Sequence, residues 1–438
     1  MPLTGGPARR RTWRRVVAGA ARLRRTWPGW VRLTVAVVAA GVAVGISGTL
    51  LTLLLHAVQH VAFGYSEGSF LDGTEQSGRL VRVLAPGVGG LLCGLGWMVL
   101  RRRPIPKVED GAAPRPRRLP AGLLSLDAVL QVVAVGTGSS IGREGAPRQV
   151  GGALSSVVST LTGLPVELRR RLVVAGTGAG LAVVYNVPLS GVVFAAEVLA
   201  GGFGWFALLI SSAVCGIAVA VSWPVLGTAA TYAYPDASVD LPIWWWAVLG
   251  APLAAVLGRL FDLMLRRAGR LRPRPGWQLP LWAGLGGLVV GALAVWWPSL
   301  LGNGKGIVQL ALGGSTALVG FAALILLKPL ATSVSYGTGI TGGFLTPALG
   351  TGAALGAAVA LAGAAAGQRW PVAGFALVGA VGVLSARQGT PWFAAVFGWE
   401  LAHPPVLMAL PLLVAAWGAV LVVRLLPGRP PGRSPGWG

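Results

Sequence analysis

The sequence predicts an all-α membrane protein, a duplicated bundle with many short, tilted and broken helices. Three observations carry that prediction. The 438-residue chain is 54% hydrophobic and only 11% charged, less than half the roughly 25% of charged residues in a soluble domain. Apolar runs near 33–55, 80–100, 205–226, 243–265, 278–297, 309–327 and 404–423 approach or exceed the length that crosses a hydrocarbon core of about 30 Å. Between them lie apolar stretches that glycine or proline repeatedly interrupts, and two of these, at 175–197 and 378–400, align without gaps.

Taken in order, residues 1–30 form a basic segment. Its charged part is too long, and the following apolar run too long, for a secretory signal. The first repeat spans 31–226, a polar connector 227–242, the second repeat 243–425, and 426–438 is a short Pro/Gly-rich tail that is not expected to fold into a regulatory domain. The formal charge of +23 resides largely in clusters at Arg9–Arg25, Arg101–Arg118, Arg169–Arg171, Arg266–Arg274 and Arg424–Arg433. Basic clusters between apolar runs are how cytoplasmic loops read. Both termini are therefore expected in the cytoplasm and the protein in the cell membrane. No basic stripe alternates with aromatics, which argues against a nucleic-acid partner. Cys93 and Cys215 read as small core residues, and His56, His60 and His403 lack partners at ligand spacing, so no metal or cofactor is expected.

The interrupted stretches are the informative ones. In lipid, broken backbone survives only where it is buried in protein or lines a wet cavity. Paired interruptions in two halves, related as an inverted or a parallel repeat, point to a site at mid-membrane. At an offset of 203, Gly176 matches Gly379, Leu181 matches Leu384, Pro188 matches Pro391, Phe194 matches Phe397 and Glu197 matches Glu400. Upstream, "GTGSSIGRE" (136–144) matches "GTGITGGFL" (337–345).

Each of those upstream segments is a glycine turn entering an apolar helix. Helix starts carry unpaired N–H groups and about half a positive charge. Two starts facing each other make an anion site without any fixed cation. Glu144 on one start is itself an anion, able to occupy that site or to accept a proton and leave it. The bland reading is an Arg143–Glu144 pair on a loop surface.

At these residues a family resemblance appears. "GREGAPRQVGG", "YNVPLSGVVFAAE" and "GITGGFLTP" resemble three hallmark segments of the CLC chloride channel and chloride/proton antiporter family, across roughly residues 33–425. The resemblance implies an inverted-repeat bundle of CLC type and a homodimer with one anion pathway per subunit. Glu144 falls on the family's external gating glutamate, which passes protons in antiporters. Gly142, Arg143 and Gly145 fall on the turn that presents it. Gly343, Phe344 and Leu345 fall on the anion-binding turn, the last two on the positions whose backbone amides hold the central anion.

The departures are as specific. Where the family supplies a serine hydroxyl, this chain has "RRRPIP" (101–106), with Arg103 at the serine position. The family's C-terminal tyrosine has no counterpart, because none of Tyr65, Tyr185, Tyr232, Tyr234 or Tyr336 lies near the end. Val198 stands where antiporters carry an internal proton-accepting glutamate. Glu197 has its copy in Glu400, and two readings stand for it: a structural role shared with Glu400, by capping or a buried hydrogen bond, or proton transfer. Lys328 and Asp127 precede equivalent glycines by 15 residues, as electrostatic elements of the pathway, as a pair, or with Lys328 snorkelling to an interface. The expected function is transport of chloride or another small halide gated by Glu144, either by a channel, toward which Val198 leans, or by a chloride/proton antiporter. Fluoride/proton exchange is the alternative within the fold, and a transport-inactive scaffold the alternative outside it. Hydrolase chemistry at Ser139 or Ser140 lacks a histidine partner nearby, so no enzyme is expected.

Overall fold

A computed structural model describes residues 27–113, 119–235 and 239–426. The basic segment 1–30 and the tail 426–438 therefore lie almost wholly outside the described residues. Among these, eighteen α-helices occur and no sheet. The first part holds α1 (Gly29–Phe63), α2 (Phe70–Gln76), α3 (Arg79–Leu100), α4 (Val108–Ala112) and α5 (Ala121–Gly136). Then come α6 (Gly145–Leu161), α7 (Val166–Tyr185), α8 (Pro188–Val193, continued as a π-turn over Phe194–Ala200) and α9 (Trp205–Leu226). The second part holds α10 (Leu241–Leu249), α11 (Ala251–Arg270), α12 (Gln278–Leu293), α13 (Lys305–Gly313) and α14 (Leu318–Gly337). It closes with α15 (Leu345–Ala365), α16 (Val372–Gln388), α17 (Pro391–Ala402) and α18 (Ala409–Leu425).

Among the described residues, α1, α3, α9, α14, α15 and the stretch Val406–Leu425 are long and apolar enough to cross a membrane. The pair α10 and α11, bent by 46°, makes a seventh if it is one span. Large apolar side chains such as Leu50, Leu92, Leu209 and Trp282 point outward, the surface of a multi-pass membrane protein facing lipid. Two expectations are corrected. The apolar run at 309–327 is divided, because Gly314 takes a left-handed conformation (φ +61°) that ends α13 before α14 begins; glycine is the residue that enters this region without strain. Conversely α15, expected as interrupted, runs unbroken, since its glycines admit a neighbouring helix instead of ending their own.

The duplication is visible in packing. A side chain on Gly151 of α6 would strike the Gly176 carbonyl of α7, and one on Gly352 of α15 would strike the Gly379 carbonyl of α16. Small residues at equivalent places let both helix pairs approach at backbone distance. The ends of α5 and α14 repeat the same cap: Thr137 and Thr338 hydroxyls donate to Val133 and Val334 carbonyls, and Gly138 and Gly339 follow at φ +105° and +106°.

The two halves are tied by a reciprocal pair of carboxylates. Pro188 and Pro391 each open a helix, a position where the missing N–H costs nothing, but the following N–H groups need acceptors. Glu400 of α17 accepts from Leu189 N–H (2.9 Å), Ser190 N–H (2.7 Å) and the Ser190 hydroxyl (2.6 Å) at the start of α8. Glu197, in the π-turn that continues α8, accepts from Trp392 N–H (3.3 Å) and Phe393 N–H (2.6 Å) at the start of α17. Each glutamate thus caps the helix that carries the other.

Glu400→Gln turns one acceptor oxygen into an N–H₂ facing donors. It is expected to lower stability by about 1–3 kcal/mol, the cost of leaving buried partners unsatisfied. Thermal unfolding in detergent followed by tryptophan fluorescence measures this, and an unchanged midpoint would remove the cap from the account.

Candidate functional site

The two glycine turns meet. Gly142 N–H donates to the Gly343 carbonyl and Gly343 N–H to the Gly142 carbonyl, both at 2.7 Å. They form an isolated antiparallel bridge. This short pair of hydrogen bonds fixes the start of α6 beside the start of α15.

Glu144 stands immediately before the first residue of α6, and its fully buried side chain, making no cap to its own helix, crosses to the other half. Its Oε1 accepts from Leu345 N–H, the first residue of α15, at 2.6 Å. Its Oε2 accepts from the Thr346 hydroxyl at 3.2 Å and from the Tyr185 hydroxyl at 3.3 Å. The carboxylate lies across both bridge glycines, so that a side chain on Gly142 or Gly343 would collide with it. That close approach requires glycine at both positions. A negative oxygen at a helix N-terminus gains from the unpaired N–H groups and from the helix dipole.

The arginines of the opening turn serve different ends. Arg143 donates to the Val184 carbonyl (2.7 Å) and lies 4.7 Å above the Tyr185 ring, holding the tyrosine against the carboxylate. The loop-surface pair considered from sequence is replaced by this arrangement, because the turn is buried. Arg148 donates to the Glu144 carbonyl (2.8 Å) and stacks 5.2 Å over Phe194. Arg387 stacks 5.0 Å over Phe344.

Behind the turns lies a cavity of about 400 Å³. It opens beside the loop that follows α3, and its wall includes Arg101, Arg103, Lys107, Arg148, Arg272, Gly145 and Gly342. Arg101 and Arg272 both donate to the Gly339 carbonyl (3.1 and 3.2 Å) and to the Thr341 hydroxyl, clamping the strand-like segment that leads into the bridge. Burial, and then repulsion from Arg272, lowers the Arg101 guanidinium to about 10, so it stays charged at neutral pH. The cavity therefore presents a cationic wall to the buried turns.

A sequence profile described as voltage gated chloride channel matches residues 89–424. The chain belongs to the voltage-gated chloride channel (CLC) family. Among curated CLC relatives, the chain is 30% identical over 308 residues to the H(+)/Cl(-) exchange transporter ClcA of Cronobacter sakazakii. That match takes in 68% of this chain and 65% of the relative, so this chain spans about two thirds of that relative's length. The ClcA of Citrobacter koseri is 26% identical over 419 residues, covering 91% of this chain and 86% of the relative. Among solved structures, a slow cyanobacterial Cl-/H+ antiporter superposes with a TM-score of 0.78 at 22% identity over 92% of this chain and 96% of the other. A CLC-type fluoride/proton antiporter superposes with a TM-score of 0.73 at 20% identity, over 90% and 96%.

Of the residues read from sequence, Gly142, Arg143, Glu144, Gly145, Gly343, Phe344 and Leu345 come together in this CLC chain. Gly343 needs correction as an anion ligand, because its N–H is committed to Gly142. Lys328 and Asp127 do not form a pair. Lys328 is fully buried, which excludes snorkelling, and donates to Ser140 Oγ (2.8 Å), the Leu300 carbonyl (3.0 Å) and the Gly302 carbonyl (2.8 Å). Asp127 accepts from Trp97 Nε1 (2.8 Å), Gln131 Nε2 (2.8 Å) and Gln149 Nε2 (3.0 Å) on the cavity wall.

Sequence reasoning missed Tyr185 and Thr346. Tyr185 lies far from the C-terminus, where the resemblance places a tyrosine ligand, and reaches Glu144 only through the fold. Lys328→Met would strip two carbonyls and Ser140 of their donor. It is expected to destabilise the protein by about 1–3 kcal/mol, read as a lower thermal midpoint in detergent.

Proposed function

We propose that the protein moves chloride, or another small halide, across the cell membrane in exchange for protons, with Glu144 as the gate. One observation carries the reading: the Glu144 carboxylate sits on the Leu345 N–H at the junction of two facing helix starts. A carboxylate oxygen there stands in for the anion that would otherwise bind. In this reading, anion and carboxylate compete for one place. Protonation removes the charge that holds Glu144 to the helix start, the side chain leaves, and the anion enters. The Phe344 and Leu345 amides, with the Thr346 and Tyr185 hydroxyls, then hold the ion, and the cationic cavity wall draws it in from one side. Lys328 adds a buried positive charge among neutral oxygens. CLC relatives that carry the name H(+)/Cl(-) exchange transporter support the choice of ions. The working unit is a homodimer with both termini in the cytoplasm and one pathway per subunit, and it performs no enzymatic step.

Anion efflux from proteoliposomes with simultaneous proton recording tests this. Flux is expected to rise as pH falls, because the protonated gate vacates the site. Glu144→Gln should carry anions with no pH dependence and no coupled protons. Retention of wild-type pH dependence in that variant would sink the gate. Tyr185→Phe removes one of the donors that hold the carboxylate in the site, so anion flux at a fixed pH should rise. If reconstituted wild-type protein passes no anion at all, the chain is a transport-inactive scaffold.

Fluoride is the second reading, favoured by one observation: the loop that would bring a serine hydroxyl brings Arg101 and Arg103 to the cavity instead. Efflux compared between chloride-loaded and fluoride-loaded vesicles separates the two.

A further inference from the structure

Val198, which cannot take a proton, lines the same cavity as Asp127 and Gln131. Asp127 is a buried carboxylate on that wall, 4% exposed. Its three donors are all neutral: Trp97 from α3, Gln131 one turn along α5, and Gln149 from α6. Because the Gln131 N–H₂ faces a carboxylate, its orientation is fixed, and its carbonyl oxygen points the other way. That oxygen is buried and has no hydrogen-bond partner among the described residues. It is aimed at the gate: a methyl added to Gly145 would lie 2.5 Å from it and 3.5 Å from Gly343 N. An unpaired buried acceptor is costly, and beside an anion site it repels the anion. It is, however, what a proton-bearing water needs.

We propose that Asp127 is the carboxylate that loads protons from the cavity and passes them, through water accepted at Gln131 Oε1, to Glu144. The proposal rests on the proton-coupled reading above. Asp127 takes a proton from hydronium in the cavity, giving a neutral carboxyl and water. That proton moves along the water to the Glu144 carboxylate, which becomes neutral as Asp127 returns to its anion.

The charged groups facing this end of α5 are Arg101 from the end of α3, Arg103 and Lys107 from the following loop, Glu109 from α4, Arg148 from α6 and Arg272 beyond α11. The α1 helix, also packed on α5, meets it at Gly136 with Val58 and Leu55.

The readout is the ratio of proton to anion flux in proteoliposomes under a chloride gradient. Asp127→Asn, which keeps the volume, is expected to lower that ratio about a hundredfold or more, the scale of losing an acid–base group. Asp127→Asn combined with Val198→Glu should recover part of the ratio, since residue 198 shares the cavity. Gln131→Leu, which leaves Asp127 its Trp97 and Gln149 donors, should also lower it, and serves if the asparagine variant does not fold. A coupled wild type together with an unaltered ratio in Asp127→Asn overturns this proposal alone. A wild type that moves anions without protons overturns the coupling reading and this proposal together.

Discussion

Two hydrogen bonds between Gly142 and Gly343 organise everything near the centre of this protein. They are ordinary in strength, each about 1 kcal/mol net, but they join two chain breaks that neither half could bury alone. Once the bridge forms, α6 and α15 start side by side, and their unpaired N–H groups face a shared interior. Only then does a carboxylate on one start reach the first amide of the other. The absence of side chains at both bridge residues is as important as the bonds, because the Glu144 carboxylate occupies the space a Cβ would need.

Much of this was legible from the chain. Apolar runs, basic loops and paired glycine breaks were enough for the class and the duplication. The alignment of "GTGSSIGRE" with "GTGITGGFL" named the two segments that do meet. Glu197 and Glu400 were recognisable as equivalents, and their shared capping role follows from prolines at the helix starts they serve. What sequence could not give was contact between stretches that no repeat relates. Tyr185 touches Glu144 from 41 residues away, and nothing in local pattern predicts that distance closing. The division at Gly314 was hidden because a glycine inside an apolar run reads equally as spanning or as ending a helix.

The departures from exact repetition carry the chemistry. Asp127 and Lys328 occupy matching places in the two halves yet have opposite charge. Both are buried, and each is satisfied by its own neutral partners. Asp127 lies on the cavity wall, whereas Lys328 is held by Ser140 and the Leu300 and Gly302 carbonyls away from it.

The crossed glutamates have a consequence for how the chain comes into being. The start of α8 receives its acceptor from a residue more than two hundred positions downstream, on a helix near the end of the chain. During synthesis, the first half emerges with that helix start unsatisfied in a medium that offers little water. Its final seating therefore waits until α17 has been made.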